Sequence, residues 1–430
     1  MSRTATRPNL KGALAVAAIA LAIGTLPATA QDTLTVMGHA VHQTAATGEK
    51  GGSMAAAFTA ETGAEVRWLT YGVVPIHEQL FRDATLSTGS VDVGLVLNRF
   101  ANENIVNLFE PLDDLLASDP IEGFDGIAPG MLDAMRFDGK IYGIPYRHAT
   151  HGLLYNEAML AEQGLEGPPK TFEQLLEYAE KLTYTRPDGT KVNGLVLSGT
   201  GSSNIIDIVR AYGGEFITPD FQIKANEEGM VNAIAKIADL YQRGILPREE
   251  VGFTTEDATT YMQQGRAAMA IDPFSRFATL NDPERSNFPG EIAVAAIPAS
   301  AAMIESGTAL AVKTEIWSLA IPRNAPNKAL AWKFIQQLSS PAGAIAGAIN
   351  GNGPVRQAAY EDSGVEAAIP YWEAEASAVA AARVPIPGFS ESARVDDMLK
   401  EELQAVMLGT KSAQQAMDDL TTRVTPLLPK

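Results

Sequence analysis

The sequence predicts an α/β fold with more than one domain. Short apolar runs alternate with helical patterns along the chain, an order typical of helices layered on mixed or parallel sheets. About 400 residues follow an N-terminal targeting segment, and that length predicts two or three domains. The segment 138–157 holds two β-rich runs separated by a proline and a polar patch, which indicates a chain that passes from one domain to another.

The N-terminus has the features of a secretory signal peptide. Arg3, Arg7 and Lys11 precede an apolar run over 12–26, and small residues follow it up to Ala30. A membrane anchor is the weaker alternative, because the run is shorter than the roughly 20 apolar residues that a spanning helix needs. We predict that residues 1–30 are removed by cleavage near Ala30 and that the mature chain is exported.

The composition excludes several classes of site and partner. The chain has no cysteine, so it has no disulfide, no thiolate metal site and no lipid-bearing cysteine to tether it to a membrane. We therefore expect a soluble protein in a periplasm bounded by an outer membrane. The formal net charge of -18 argues against nucleic acid as a partner, because phosphate binding needs clustered Lys and Arg.

Seven short β-rich runs are predicted to be strands. They span residues 34–37, 66–69, 91–97, 194–197, 267–271, 292–297 and 318–321. Helical patterns lie between most of them. A Thr-x-x-Gln capping box begins a predicted helix at 171–182. Gly244 ends a second predicted helix at 231–241, and an apolar stripe marks a third at 329–338. From Glu361 onward the chain is predicted to be mainly helical.

The segment 138–157 has the order of features expected of an interdomain crossing. Asp138 and Gly139 form a turn before the first β-rich run. Pro145 has no N–H to give to a strand ladder, so we expect the chain to leave one strand before a second begins at Leu153.

Six motifs in a fixed order resemble a known protein family. They lie at 109–114, 138–145, 153–172, 265–272, 317–322 and 331–341, and the most specific is Asp-Gly-Lys-x-Tyr-Gly-x-Pro at 138–145. Together they resemble the extracellular solute-binding proteins, family 1, which serve ABC importers. The resemblance covers nearly the whole mature chain.

This resemblance implies a type II periplasmic binding protein fold, in which two discontinuous α/β lobes enclose an interlobe ligand cleft. It implies that residues 31–146 and 312–350 form one lobe and that residues 147–311 and 351–430 form the other. It also implies a membrane permease as partner, a monomeric protein, no cofactor and no catalytic residue.

Ligand contacts are implied at loops near the carboxyl ends of strands and at the crossings, where open α/β sheets commonly bind ligands. The candidate ligand-binding residues are His39, Gln43, Asn98, Arg99, Tyr146, Arg147, His148, Ser202, Ser203, Asp272, Phe274, Trp317 and Arg356.

The residue types at these positions suit a small carbohydrate. Asn98 and Asp272 can bond sugar hydroxyls, while Phe274 and Trp317 can cover the apolar face of a sugar ring. Two of them have structural alternatives: Trp317 could lie in a core, and Asp272 could cap a helix that begins at Pro273.

The positions of the arginines decide whether a neutral or an anionic ligand is expected. Singly, Arg99, Arg147, Arg276 and Arg356 are expected at surface or lobe-pairing positions. If two or more converge, the ligand carries an anionic group, as in a glycerol-phosphate ester or a sulfonated or acidic sugar. A polyamine is a further non-sugar alternative, and it would need several carboxylates in the cleft.

Four histidines form two His-x-x-His pairs, His39 with His42 and His148 with His151. Such a pair on a helix can share a metal ion, but His148 and His151 lie in an extended segment, where they point to opposite faces. We predict no metal site. An exported hydrolase is the alternative from another functional class, although the sequence has neither a P-loop nor a Gly-x-Ser-x-Gly motif.

Overall fold

The computed structural model describes Met1 and residues 32–429. The predicted signal peptide, residues 1–30, lies outside this part of the chain except for Met1. Among the described residues, no helix combines the length and apolarity that crossing a bilayer requires.

Within residues 32–429 the strands form two five-stranded sheets and one small hairpin. The strands are β1 (Thr33–Gly38), β2 (Glu65–Thr70), β3 (Val93–Leu97), β4 (Arg136–Phe137), β5 (Lys140–Ile141), β6 (Ile144–His148), β7 (His151–Asn156), β8 (Tyr184–Thr185), β9 (Lys191–Val196), β10 (Ala267–Pro273), β11 (Ile292–Ala295) and β12 (Ile316–Ala320). All seven predicted strands overlap with these strands.

The first sheet has the order β2-β1-β3-β12-β6, and the second has the order β11-β7-β10-β9-β8. In the first sheet, β1 runs parallel to β2 and β3, and β12 runs antiparallel to β3 and β6. In the second sheet, β10 runs parallel to β9 and antiparallel to β7. Both sheets are therefore mixed, and the predicted α/β class is confirmed.

Helices connect most of the strands. They are α1 (Ala40–Thr47), α2 (Met54–Thr62), α3 (Val73–Ala84), α4 (Asp113–Ser118), α5 (Pro129–Leu132), α6 (Glu157–Glu162), α7 (Phe172–Lys181), α8 (Ser202–Ala211), α9 (Glu228–Gln242), α10 (Thr255–Gln263), α11 (Phe277–Leu280), α12 (Ala301–Ser306), α13 (Lys328–Ser339), α14 (Pro341–Ile349), α15 (Ser363–Ala368), α16 (Trp372–Ala381), α17 (Ser392–Met407) and α18 (Ala413–Val424). The three predicted helices correspond to α7, α9 and α13. The chain after Glu361 is mainly helical, as predicted.

Each large sheet has its own apolar core. Leu34, Leu95 and Phe334 belong to the core around the first sheet. Leu195 and Ile271 belong to the core around the second sheet. We call the two units lobe 1 and lobe 2, after the first and the second sheet.

The chain passes between the lobes over short segments. β6 ends at His148 in lobe 1, and β7 begins at His151 in lobe 2. Val312 packs in the core of lobe 2, and β12 begins at Ile316 in lobe 1. The lobe boundary predicted after residue 146 falls inside β6, so Arg147 lies in a strand of lobe 1.

Pro145 does not end β6 as the sequence suggested. β6 is the edge strand of its sheet, and the pairing register shifts between Trp317 and Ser318, opposite this part of β6. An edge strand with a bulge tolerates a residue that has no N–H to donate. The strand therefore continues through Pro145 to His148.

Backbone hydrogen bonds hold the crossings side by side. His151 N–H donates to the Lys313 carbonyl at 2.9 Å. A third segment joins them, because Arg383 N–H donates to the Val312 carbonyl at 2.9 Å. The segments that link the lobes are thus hydrogen-bonded to one another.

Asp207 of α8 ties both crossings to lobe 2. Its buried Oδ1 accepts the Lys313 N–H at 2.6 Å, and its Oδ2 accepts the His151 Nδ1–H at 2.7 Å. Lys313 Nζ donates in turn to His151 Nε2 at 3.2 Å. Burial opposes ionisation of Asp207, but the neighbouring His151 and these hydrogen bonds hold the pKa of the carboxyl below its ordinary value.

Glu250 holds the loop that follows β9 in an unusual shape. Ser198 and Gly199 have φ angles of 62° and 120°, in the region that favours glycine. Glu250 Oε1 accepts the N–H groups of Leu197 and Gly199 at 3.2 and 2.9 Å, which fixes the turn. Burial raises the pKa of the Glu250 carboxyl to about 8.

Replacing Asp207 by Ala is expected to lower the free energy of unfolding by about 3 kcal/mol, because two buried donors lose their acceptor. Urea denaturation measures this loss. Asp239→Ala is the matched control, since its carboxylate pairs with Lys236 and Arg243 at the surface and its loss should stay below about 1 kcal/mol. Equal losses in the two variants would contradict the role given to Asp207.

Glu250→Gln is expected to change how stability depends on pH. The folded-state pKa of about 8 lies above the value of about 4.3 for an unfolded glutamate. The folded protein therefore binds this proton more tightly, and stability falls as pH rises between the two values. Gln keeps the Oε1 acceptor and carries no charge.

The Glu250→Gln variant should thus exceed the wild type in free energy of unfolding at about pH 9, by on the order of 1–3 kcal/mol, and match it at about pH 5. Chemical denaturation at both pH values measures the difference. A difference that is the same at both pH values would show that Glu250 does not titrate as described.

Candidate functional site

Strand ends from both lobes face a shared space. β1 ends in lobe 1 at Gly38, and β10 ends in lobe 2 at Pro273, while β6 reaches the first crossing. Carboxyl ends of strands in open α/β sheets are common ligand sites. The side chains that meet here form what we call the interlobe cluster: His39, Arg147, Asp272, Ser275 and Arg276.

His39 enters the cluster from lobe 1, where it caps α1. Its Nδ1 accepts the Val41 N–H at 3.3 Å, and its own N–H donates to His42 Nδ1 at 3.1 Å. Burial lowers the pKa of His39, and the charges of Arg147 and Arg276 lower it further. Groups of the first crossing and of lobe 2 thus act electrostatically on this imidazole of lobe 1.

Arg147 lies in β6 at the base of this space and is 7% exposed. Its Nη2 donates to Ser275 Oγ of lobe 2 at 2.7 Å. Its Nη1 is buried and has no hydrogen-bond partner among the described residues. Burial, and after it the charge of Arg276, lowers the pKa of Arg147 to about 10. The guanidinium is therefore charged at neutral pH, and the two N–H groups of Nη1 have no acceptor among the described residues.

Asp272 supplies a buried carboxyl from β10. Burial raises its pKa, while Arg276, His151 and Lys313 oppose the rise. The Ser198 side chain, in the loop that Glu250 shapes, also approaches the carboxyl. Two carboxylate oxygens beside positive charges can accept hydrogen bonds from a pair of ligand hydroxyls.

A buried hydrogen-bond chain adjoins one edge of the cluster. Thr150 N–H donates to His148 Nδ1 at 3.3 Å, so Nε2 carries the proton and donates to Tyr360 Oη at 3.0 Å. Burial and Arg147 lower the pKa of His148 to about 3, which keeps it neutral. Burial raises the pKa of Glu375 to about 7, against the opposing effects of Tyr360 and Arg147.

Glu315 joins both lobes at the second crossing. Its Oε1 accepts from Arg99 Nη1 at 3.0 Å and from Ser203 Oγ at 3.2 Å. Its Oε2 lies 3.0 Å from Lys313 Nζ. Burial opposes ionisation, but Arg99 and Lys313 lower the pKa of Glu315 to about 2. Arg99 and Ser203, both predicted ligand contacts, thus form hydrogen bonds with Glu315 in this conformation.

Both predicted aromatic contacts are buried. Trp317 is 6% exposed and packs in the core of lobe 1, with its ring centroid 4.7 Å from that of His42. Phe274 is fully buried and stacks on Tyr371, with centroids 5.7 Å apart. Neither ring has an open face to offer a ligand in this conformation.

Two predicted polar contacts also bond to the backbone. Arg356 is buried in lobe 1 and donates to the carbonyls of Ser339 and Glu122 at 3.1 and 3.2 Å. Asn98 Oδ1 accepts the Ile316 N–H at 2.9 Å. These bonds stabilise lobe 1 and the second crossing.

Three further predicted contacts are Tyr146, Ser202 and Gln43. Tyr146 is buried, its hydroxyl has no partner in the described part of the chain, and burial raises its pKa. Ser202 N–H donates to Asp396 Oδ1 at 2.7 Å, and Gln43 is half-buried on α1. Ligand contact by any residue named here stays a prediction.

The two histidine pairs differ: the members of the first contact each other, and those of the second bond to different residues. His39 and His42 meet edge to face, with ring centroids 6.3 Å apart. His148 bonds to Tyr360, whereas His151 bonds to Asp207. Among residues 32–429, no group of three or more potential ligands of the kinds that bind metal ions was found.

Sequence reasoning did not single out several residues that build the site. Ser275 stands between Phe274 and Arg276, which were considered, so it could have been included with its loop. The sequence around Asp207 has no pattern that marks its role, because its partner Lys313 is 106 positions away. Glu315 likewise acts through groups distant in the sequence.

A cavity of about 770 Å³ is lined by residues of both lobes and of the second crossing, among them Asn98, Arg210 and Thr314. None of the five residues of the interlobe cluster lines it. The cavity and the interlobe cluster are therefore two different candidate ligand spaces.

Comparison with known proteins places the chain in a family. The family model described as bacterial extracellular solute-binding protein matches residues 45–345. A probable ABC transporter-binding protein of Deinococcus radiodurans is 24% identical over 269 residues, which is 61% of this chain and 62% of that protein. The chain thus spans less than two thirds of this curated relative.

Two further matches extend the comparison. The sn-glycerol-3-phosphate-binding periplasmic protein of Pectobacterium atrosepticum is 25% identical over 313 residues, 67% of either chain. The structure of a maltose-bound T. maritima protein, MalE3, superposes with a TM-score of 0.77 at 20% identity, covering 92% of this chain and all (100%) of that one. This structural match supports the two-lobe fold.

The family model spans well over half of the chain, and its fold is the one observed. The protein belongs to the bacterial extracellular solute-binding proteins.

Proposed function

We propose that this protein is the periplasmic substrate-binding protein of an ABC importer, and that it captures a small carbohydrate or carbohydrate derivative for the membrane permease. One observation carries the proposal: Arg147, at the first crossing, donates to Ser275 of lobe 2 at 2.7 Å and keeps a buried Nη1 without a partner in the described part of the chain. The charges of Arg147 and Arg276 also act on His39 of lobe 1, and Arg276 acts on Asp272. A site assembled from two lobes is complete only when they close.

The chemistry of this space suits a polyol. Asp272 accepts hydrogen bonds and Arg147 donates them, while a hydroxyl can do both. A site that pairs buried hydroxyls discriminates against analogues that lack them, because its own polar groups would stay unsatisfied. The names of two relatives support this class, since they give maltose and sn-glycerol 3-phosphate as ligands.

Hinge closure is the proposed mechanism. The paired crossings let the lobes rotate, and a ligand that contacts both lobes binds the closed form better than the open form. The bond from Arg147 to Ser275 links the lobes in this conformation. The permease would then recognise the outer surface of the closed form, and no bond of the ligand is made or broken.

The features of the N-terminal segment support the proposed location. A basic start, an apolar run and small residues before Gln31 are typical of a signal peptide. We propose cleavage near Ala30, release into the periplasm and action as a monomer without a cofactor.

A thermal-shift screen of sugars, sugar acids, phosphate esters, amino acids and polyamines is expected to yield at least one stabilising solute. A ligand at about 100 times its dissociation constant adds about 2.7 kcal/mol of stability. Asp272→Ala should abolish the shift. Asp114→Ala, an exposed position in lobe 1, is the matched control and should keep it. Absence of any stabilising solute, or turnover of one, would overturn the proposed function.

The stabilising solute should also make the molecule more compact. Small-angle X-ray scattering is expected to show a smaller radius of gyration at saturation, with an unchanged molecular mass, because lobe closure narrows the cleft. A saturated protein with an unchanged radius of gyration would contradict hinge closure while leaving binding intact.

A further inference from the structure

The arginines near the crossings differ in how their charge is balanced. Arg99, whose side chain is 36% exposed, lies 3.0 Å from the Glu315 carboxylate, and buried Arg210 lies 3.1 Å from Glu215. Arg356 of lobe 1 is buried without an ion pair among residues 32–429, but it donates to the carbonyls of Ser339 and Glu122. Arg147 is as buried as Arg210, yet no carboxylate oxygen of the described residues lies within 4.0 Å of it. Its protein partner is the neutral Ser275 hydroxyl.

The unused donor of Arg147 lies next to more positive charge. Arg276 is close enough to lower the pKa of Arg147, and both lower the pKa of His39. The carboxylate that forms an ion pair with Arg276 belongs to Glu256, at 3.6 Å, and that side chain is 77% exposed and therefore screened by water. Arg276 also interacts with the Asp272 carboxyl. Within the cluster the missing ion pair is therefore that of Arg147.

The nearby acids do not supply the missing countercharge. The charge of Glu375 acts on Arg147, but its pKa is raised to about 7, so its ionisation is partial near neutral pH. Asp272 interacts with the charges of Arg276, His151 and Lys313, and it is not among the groups that act on Arg147. Tyr146 and Tyr371, which also face Arg147, stay protonated because burial raises their pKa values.

We propose that the ligand carries an anionic group, and that a carboxylate, phosphate or sulfonate on a small polyol binds between Arg147 Nη1 and Arg276. This inference rests on the proposed function, and it names the charge class of the ligand. A neutral ligand would leave a buried guanidinium without a countercharge in the closed form, which is unfavourable. An anionic oxygen bonded to Nη1 removes that cost and joins the lobes.

Asp272 orients such a ligand. A carboxylate at one end of the site repels a second anion, so the charged group is directed toward the arginines and the hydroxyls toward Asp272. The site would therefore distinguish the two ends of an acidic polyol.

Matched pairs of probes test the charge class by isothermal titration calorimetry. The pairs are glycerol with sn-glycerol 3-phosphate, glucose with glucose 6-phosphate, glucose with glucuronate, and ethylene glycol with isethionate. The anionic member of at least one pair is expected to bind about 10-fold or more tightly than its neutral partner. Because the pairs carry a phosphate, a carboxylate or a sulfonate, the tightest of them identifies the anionic group that the site prefers.

Substitutions of the two arginines test where the anionic group binds. Arg147→Gln is expected to weaken binding of the preferred anion by about 30-fold or more, and Arg276→Gln by about 10-fold. Arg82→Gln, an exposed position in α3, is the control and should bind like the wild type. The ligand-free Arg147→Gln protein should unfold at a temperature no lower than the wild type, because an unbalanced buried charge is removed. A purely structural arginine would lower that temperature.

The results distinguish failure of the proposed charge class from failure of the proposed function. Neutral members that bind as tightly as their anionic partners would overturn the charge class and leave the proposed function standing, as would unchanged anion binding by Arg147→Gln. If no solute of either charge binds in this panel or in the broader screen, the proposed function fails and the charge class with it.

Discussion

The buried carboxylate of Asp207 holds both crossings with one side chain. One oxygen bonds to the backbone of Lys313, and the other bonds to His151, so the two segments that join the lobes keep a fixed spacing. Lys313 extends the same network to Glu315, which reaches Arg99 in lobe 1 and Ser203 in lobe 2. A buried network of this kind is stable only when each charge is compensated. The positions of both strand-end loops follow from it.

The arginines near the crossings differ in whether the protein supplies partners for all of their N–H groups. Arg99 and Arg210 are paired with carboxylates, and Arg356 bonds to carbonyls within lobe 1. Arg147 lies beside the same crossings but keeps an unpartnered Nη1. Since natural proteins rarely leave a buried donor without an acceptor, we propose that a ligand supplies the acceptor at this position.

The sequence predicted the α/β class and the strands because both depend on local patterns. Thr171 caps α7 as its spacing predicted, because its Oγ1 accepts the Gln174 N–H, although the Gln174 side chain accepts the N–H of Lys170 rather than that of Thr171. The end of β6 was misplaced, because the effect of Pro145 depends on whether the strand lies at an edge, which the local sequence does not show. Asp207 and Glu315 were missed for a related reason: their partners are set by tertiary packing across more than 50 positions.

A crystal structure with the tightest-binding solute would show which space the ligand occupies. We expect ligand density at the interlobe cluster, with one ligand oxygen bonded to Arg147 Nη1 and hydroxyls bonded to Asp272. Density in the cavity beside Thr314 and Ile316, or density that leaves Arg147 Nη1 without a partner, would contradict the proposed site.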